Sequence, residues 1–254
     1  MKKLFRFLYA LLILAAPLIS AIDYTPRNTI FVWDIHGVIL DHDALKIAKL
    51  LPQVLLCHPS LSFLKKAAVY PLRLLKGEHV QKEIFLQAAR ADNNQKLIDL
   101  LIKIGNAQQE IAGTPQVIAA IKHLGYTNYI ASNADNAVFA QLIDPAINPD
   151  LAPFFLTNFN ILGSQSIDYG TSMENVAYKP NPAYYERFIA RNRLNLKKTH
   201  VIFIDDTLPN VESAKKIGFT AIHFIDAKKL VERLNCMGIP VSIVPTQASI
   251  AASH

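Results

Sequence analysis

Cysteine is almost missing from this chain. Only Cys57 and Cys236 occur among 254 residues, far apart and without a CxxC spacing. That supports neither a zinc site nor a dithiol redox motif, though in an oxidising compartment the two could pair. The two read as buried free thiols. Positive charge is thin as well. The formal charge of +6 falls to +3 without Lys2, Lys3 and Arg6, and the chain holds no basic run or basic patch interleaved with aromatics. Nothing in it argues for a nucleic-acid partner. Internal repeats are absent, so a solenoid is excluded. What is abundant is apolar: 51% hydrophobic against 18% charged residues describes a globular chain.

One apolar run stands apart. Lys2, Lys3 and Arg6 precede Phe7 to Ala16, and Pro17-Leu18-Ile19-Ser20-Ala21 follows. Basic, apolar and small-residue regions in that order are those of a secretory signal, with cleavage after Ala21. The run is short for a bilayer span, which needs about 20 residues. An uncleaved N-terminal anchor is the other reading. Both put the folded part outside the cytoplasm, as a periplasmic, secreted or membrane-anchored protein.

Beyond residue 21 the pattern alternates. Thr29 to Leu40 begins as a buried strand, rich in β-branched and aromatic residues, and ends in Asp34 with Gly37 behind it. Asp43 to Cys57, Leu61 to Leu75, His79 to Ala91 and Asn94 to Ile111 show helical spacing, punctuated by Pro52, Pro59 and Pro71. His42, His58 and His79 lie here without a second ligand at helical spacing, so they read as solvated or locally hydrogen-bonded. Thr114 is placed to cap a helix with Pro115 at its first position and Gly125 after its end. Strands follow at Tyr126 to Ala131, His200 to Ile204 and Phe219 to Phe224. Helices follow at Ala137 to Ile143, Asn181 to Arg191, Val211 to Ile217 and Ala227 to Asn235. Asn148 to Met173 reads as loops with a short strand or hairpin. Thr246 to His254 reads as a flexible tail. Repeated βα units predict an α/β fold: a Rossmann-like parallel sheet flanked by helices, with a helical insert after the first strand.

Three strands end in polar residues: Asp34, Ser132-Asn133 and Asp205-Asp206. Parallel neighbours would bring these together at the carboxyl edge, where open α/β sheets bind ligands. Lys179, in Ala177-Tyr178-Lys179-Pro180-Asn181-Pro182, precedes a helix and can reach the same edge. Carboxylates, a hydroxyl and an ammonium suit a site for phosphate and Mg²⁺. An Asp carboxylate can attack phosphorus, and a Ser hydroxyl, backbone N–H groups and a Lys can stabilise the transferring phosphoryl.

These segments, in this order, resemble the four motifs of the haloacid dehalogenase-like (HAD) superfamily. Phe31 to Val38 is similar to the first motif, Ile130-Ala131-Ser132-Asn133 to the second and Tyr178 to Pro182 to the third. Val201 to Thr207, with Asn210 and Gly218-Phe219, is similar to the fourth. The resemblance implies roles. Asp34 is the nucleophile and a Mg²⁺ ligand, and position 36 offers its backbone carbonyl to the metal. Asp206 is the main acidic ligand of the fourth motif, with Asp205 as its neighbour. Ser132 and Lys179 hold the phosphoryl, and Asn133 does so or forms the turn. The insert, residues 41–112, takes the place of a helical cap that closes over the site. The core is then 22–40 with 113–245, and the implied partner is a small phosphorylated molecule.

The sequence departs from that pattern at His36, where the resemblance implies a second Asp that protonates the leaving group and later deprotonates water. Imidazole, titrating near 6.5 in water, can do both. Three functions fit: a Mg²⁺-dependent phosphatase with His36 as acid/base, a hydrolase of the same superfamily cutting another bond, and a non-catalytic binding protein on the same fold.

Overall fold

The computed structural model describes residues 22–57, 94–105, 107–167 and 177–243. The readings of 1–21, of the segments 61–75 and 79–91, and of the tail 246–254 lie outside the described residues.

The first strand, β1 (Thr29–Trp33), is buried on both sides. Its side chains alternate between two cores, as strand geometry requires. Phe31 and Trp33 join Ile118, Ile130, Phe155 and Leu234 in one cluster. Val32 joins Tyr184, Tyr185, Phe188 and Phe203 in the other. Burying each large apolar side chain contributes about 1.5–3 kcal/mol, so helices are needed on both faces. The one polar group Trp33 carries is satisfied: its Nε1 donates to Asn128 Oδ1 at 3.0 Å.

After β1 the chain turns tightly. The amides of Ile39 and Leu40 both donate to the Ile35 carbonyl, at 2.8 and 2.9 Å. It then forms β2 (Leu40–His42), α1 (Ala44–Cys57), α2 (Gln95–Gly105) and β3 (Gln108–Glu110). β2 and β3 make a separate antiparallel ribbon, in which Leu40, Asp41 and His42 face Glu110, Gln109 and Gln108. Next come α3 (Thr114–His123), β4 (Thr127–Asp135), α4 (Asn136–Leu142), α5 (Ala152–Asn158) and β5 (Gln165–Ile167). The remaining elements are α6 (Pro182–Arg191), β6 (His200–Asp205), α7 (Leu208–Ile217), β7 (Thr220–His223) and α8 (Ala227–Cys236).

The main sheet is parallel throughout, in the order β5-β4-β1-β6-β7. The fold is an α/β, Rossmann-like sheet flanked by helices. Strand order reverses at β1, between β4 and β6, and that is where such sheets bind ligands.

Several readings need correction. The stretch Asn94 to Ile111 is not all helix, because its end pairs with β2 as β3. Residues 148–173 hold a helix, α5, whose Phe155 is fully buried. β4 runs four residues past Ala131, with its register against β5 shifting between Ala131 and Asp135. Thr114 does not cap α3. Gly113, at φ 84°, occupies that position, and the Thr114 hydroxyl is buried without a hydrogen-bond partner among the described residues. Both cysteines are free, but neither is buried: Cys57 is half-buried and Cys236 exposed, each at the last turn of its helix.

Candidate active site

Asp34 follows β1 directly, and its amide still donates to the Ile204 carbonyl of β6 at 2.9 Å. The sheet therefore fixes its backbone. Its Oδ1 accepts from the Ile35 amide at 2.7 Å, and the residue is 7% exposed.

Lys179 arrives from the loop before α6. Its side chain is completely buried. Nζ stands 2.9 Å from Asp34 Oδ2 and 2.7 Å from Asp205 Oδ2, over the face of the Phe203 ring. Burial alone would pull this ammonium down. Asp34 and Asp205 outweigh it and hold the lysine above its ordinary value, charged. Asn133 sets the backbone of this lysine. Its Oδ1 accepts from the Lys179 amide at 2.8 Å and its Nδ2 donates to the Lys179 carbonyl at 3.0 Å.

Asp205 and Asp206 are adjacent but differ. Asp205 is fully buried and surrounded by donors: Lys179 Nζ, the Thr207 amide at 2.8 Å, and Asn210 Nδ2 at 3.0 and 3.1 Å to its two oxygens. Asp206 lies further out, with the Thr207 hydroxyl 3.5 Å from its Oδ1. Partial burial, and then repulsion by Asp34 and Asp205, push the Asp206 carboxyl above the usual carboxylate range. Gly37, at φ 78°, makes room for it. A Cβ there would lie 2.3 Å from Asp206 Oδ2, so glycine serves both the left-handed backbone and the close approach.

Asp34, Asp205 and Asp206 each offer an oxygen within 4.8 Å of the others. Clustered hard oxygens suit Mg²⁺. Asp205 is occupied by its donors, so Asp34 and Asp206 are the carboxylates best placed to take an ion. Ser132 lies on β4 beside them. It is buried, its Oγ accepts from the Ala134 amide at 3.1 Å, and its carbonyl accepts from the Tyr184 hydroxyl at 2.9 Å. The irregular register of β4 falls in this stretch, as bulges commonly do beside functional sites.

The sequence matches the model of the haloacid dehalogenase-like hydrolases over residues 29–218. The chain belongs to that family. Among solved structures, a HAD phosphatase from Thermococcus onnurineus is similar at 19% identity and TM-score 0.55, covering 81% of this chain and 97% of its own. A HAD-family enzyme from Bacteroides thetaiotaomicron is similar at 13% identity and TM-score 0.53, covering 82% and 98%. A mutant of the Bacteroides enzyme, in complex with magnesium and inorganic phosphate, aligns at 14% identity and TM-score 0.51, covering 78% and 94%. These likenesses support the fold. Among curated proteins, none matches the sequence.

In this HAD-like hydrolase the ring of His36 lies among residues that sequence reasoning did not connect with it. Gln108 Nε2 is 3.2 Å from His36 Nε2, and the His42 ring stacks on His36 with centroids 5.5 Å apart and planes at 22°. His42, read as solvated or locally hydrogen-bonded, is half-buried against that ring. Its Nδ1 is buried without a hydrogen-bond partner among the described residues, and burial lowers its pKa against the pull of Asp41. No local signal marks these two residues, because they meet only through the pairing of β2 with β3. Tyr184, which holds the Ser132 carbonyl, was likewise legible only as an apolar helix position.

Proposed function

We propose that this protein is a Mg²⁺-dependent phosphatase that hydrolyses a phosphomonoester of a small molecule through an aspartyl-phosphate on Asp34. The observation that carries this reading is the placement of Asp34. It stands at the reversal of strand order, with a buried ammonium 2.9 Å from one carboxylate oxygen and two further carboxylates around it. Asp34, Asp206 and the main-chain carbonyl of His36 would hold Mg²⁺, which supplies charge neutralisation at the phosphoryl oxygens.

The chain's own groups do the rest. A carboxylate oxygen of Asp34 bonds to phosphorus as the bond to the ester oxygen breaks, and protonated His36 gives its proton to the departing alkoxide. Water then attacks phosphorus and loses a proton to His36. The bond between phosphorus and Asp34 breaks, phosphate leaves, and the carboxylate is restored. Lys179 keeps its charge throughout and, with Ser132, steadies the transferring group. The helices carried by the β2–β3 ribbon act as the cap, excluding water and choosing the substrate. The N-terminal segment directs the protein out of the cytoplasm.

The test is phosphate release by purified protein with Mg²⁺ on a broad panel of phosphomonoesters. Turnover is expected for some members and a loss of at least about 10³-fold in Asp34→Asn. Folded wild-type protein that releases no phosphate from any of them would refute the reading. Turnover without phosphate release, lost in Asp34→Asn, would place the reaction on another bond.

A further inference from the structure

His36 leaves the sheet two residues after Asp34, yet its ring is held from elsewhere. Gln108 Nε2 stands 3.2 Å from its Nε2, and the His42 ring lies against it nearly face to face. These two holders are one unit. His42 and Gln108 sit directly opposite each other in the β2–β3 ribbon. Gln108 is the buried residue of β3, whereas its neighbours Gln109 and Glu110 are exposed. A glutamine turned inward on a short exposed ribbon needs a polar partner, and the His36 ring is one.

We propose that Gln108 and His42 are positioning residues for His36. The ribbon fixes the plane of the imidazole by the stack and its tautomer by the contact at Nε2. The functional weight of this assignment rests on the acid/base role given to His36 above. The physical need is specific to imidazole. A carboxylate presents two equivalent oxygens and works in either orientation. An imidazole presents two unlike nitrogens, and which one carries the proton is set by the partner of the other. With its amide nitrogen toward the ring, Gln108 donates, Nε2 accepts, and the neutral ring carries its proton on Nδ1. Stacking against His42 restrains rotation of the ring plane.

The experiment reads the ring nitrogens directly. Full-length, metal-free protein labelled with ¹⁵N-histidine is examined by long-range ¹H–¹⁵N correlation, with His36 assigned from the signal lost in His36→Gln. Wild type is expected to show His36 with a protonated Nδ1 and an acceptor Nε2. Gln108→Met should give an averaged mixture of tautomers. Gln108→Glu, close in shape and offering only acceptors, should move the proton to Nε2. In turnover, Gln108→Met should lower kcat roughly tenfold, the worth of about one hydrogen bond, with KM changed less than about twofold. His42→Phe, which keeps the stack, should keep kcat, and His42→Ala should lower it. Identical His36 tautomers in wild type, Gln108→Met and Gln108→Glu would overturn the proposal, and if Gln108→Met does not fold, Gln108→Glu alone decides. Wild-type phosphate release is scored separately. Absent turnover with Gln108-dependent tautomers refutes the phosphatase reading and upholds the holding of the ring.

Discussion

The two parts of the site are built on opposite plans. At the end of the main sheet, Asp34, Asp205 and Lys179 are buried, their charges are paired within 3 Å, and Asn210 and the Thr207 amide donate further to Asp205. Beside the β2–β3 ribbon, His36 and His42 are half-buried, with their rings stacked and Gln108 within reach of His36. The first part is electrostatics fixed in advance by the fold, the form in which protein charges act most strongly on a reacting group. The second can be altered one side chain at a time without disturbing the core. Burial explains the contrast. An ion pair at the sheet edge cannot lose a partner without stranding a charge, whereas a ribbon near solvent can exchange contacts for water.

Breaking the first part should have the largest effect. Lys179→Met leaves Asp34 and Asp205 buried without their cation, and a loss of about 3–5 kcal/mol is expected in urea unfolding. Loss below about 1 kcal/mol would show that the pair is not held as described.

Gly37→Ala probes the border of the two parts. The left-handed backbone costs the alanine roughly 1–2 kcal/mol, and its Cβ must displace the Asp206 carboxylate. Mg²⁺ affinity by calorimetry should fall about 10–100-fold, the usual cost of disturbing the support of a metal site, with the sheet intact by circular dichroism.

Asp206 itself sharpens the comparison through pH. Its carboxyl is raised in the folded state, by burial first and by its acidic neighbours second. The fold therefore favours its protonated form. Its contribution is fully present below the unfolded carboxylate pKa and is lost as pH rises through the raised value. Metal-free protein should lose thermal stability across that interval, Asp206→Asn should flatten the loss, and added Mg²⁺ should restore Tm on its alkaline side. A Tm profile identical in wild type and Asp206→Asn would contradict the placement.

Cys236→Ser is the control for both parts. The thiol is exposed on the last turn of α8, so stability should move by less than about 0.5 kcal/mol.

The main sheet was readable because its information is local. β1, β6 and β7 are short apolar runs between turn residues, and each helix after them carries its own stop, such as Gly218 at φ 102° behind α7. The polar residues at the strand ends were readable for the same reason, and parallel pairing gathers them. The remainder depends on contacts between distant segments. Gln108-Gln109-Glu110 has no strand propensity and becomes β3 only because Leu40–His42 lies opposite. α5 contains proline and sits among asparagines, and it is helical because Phe155 has a core to enter. Asn133 was read at the phosphoryl or in the turn, and its side-chain amide meets the Lys179 backbone 46 residues away, a contact no local pattern announces.

The ribbon has one more consequence. β2 ends where α1 is about to begin, and β3 begins just after α2 ends. Among the described residues, α1 and α2 thus join the core through two paired strands of three residues. Closing a longer or shorter span across such a stem changes little, roughly 0.6 kcal/mol for each doubling of length. The helices on the stem are thus an exchangeable part. Descendants of this chain could replace them wholesale and inherit the chemistry at Asp34 unchanged, so long as the three rungs that hold the stem together survive.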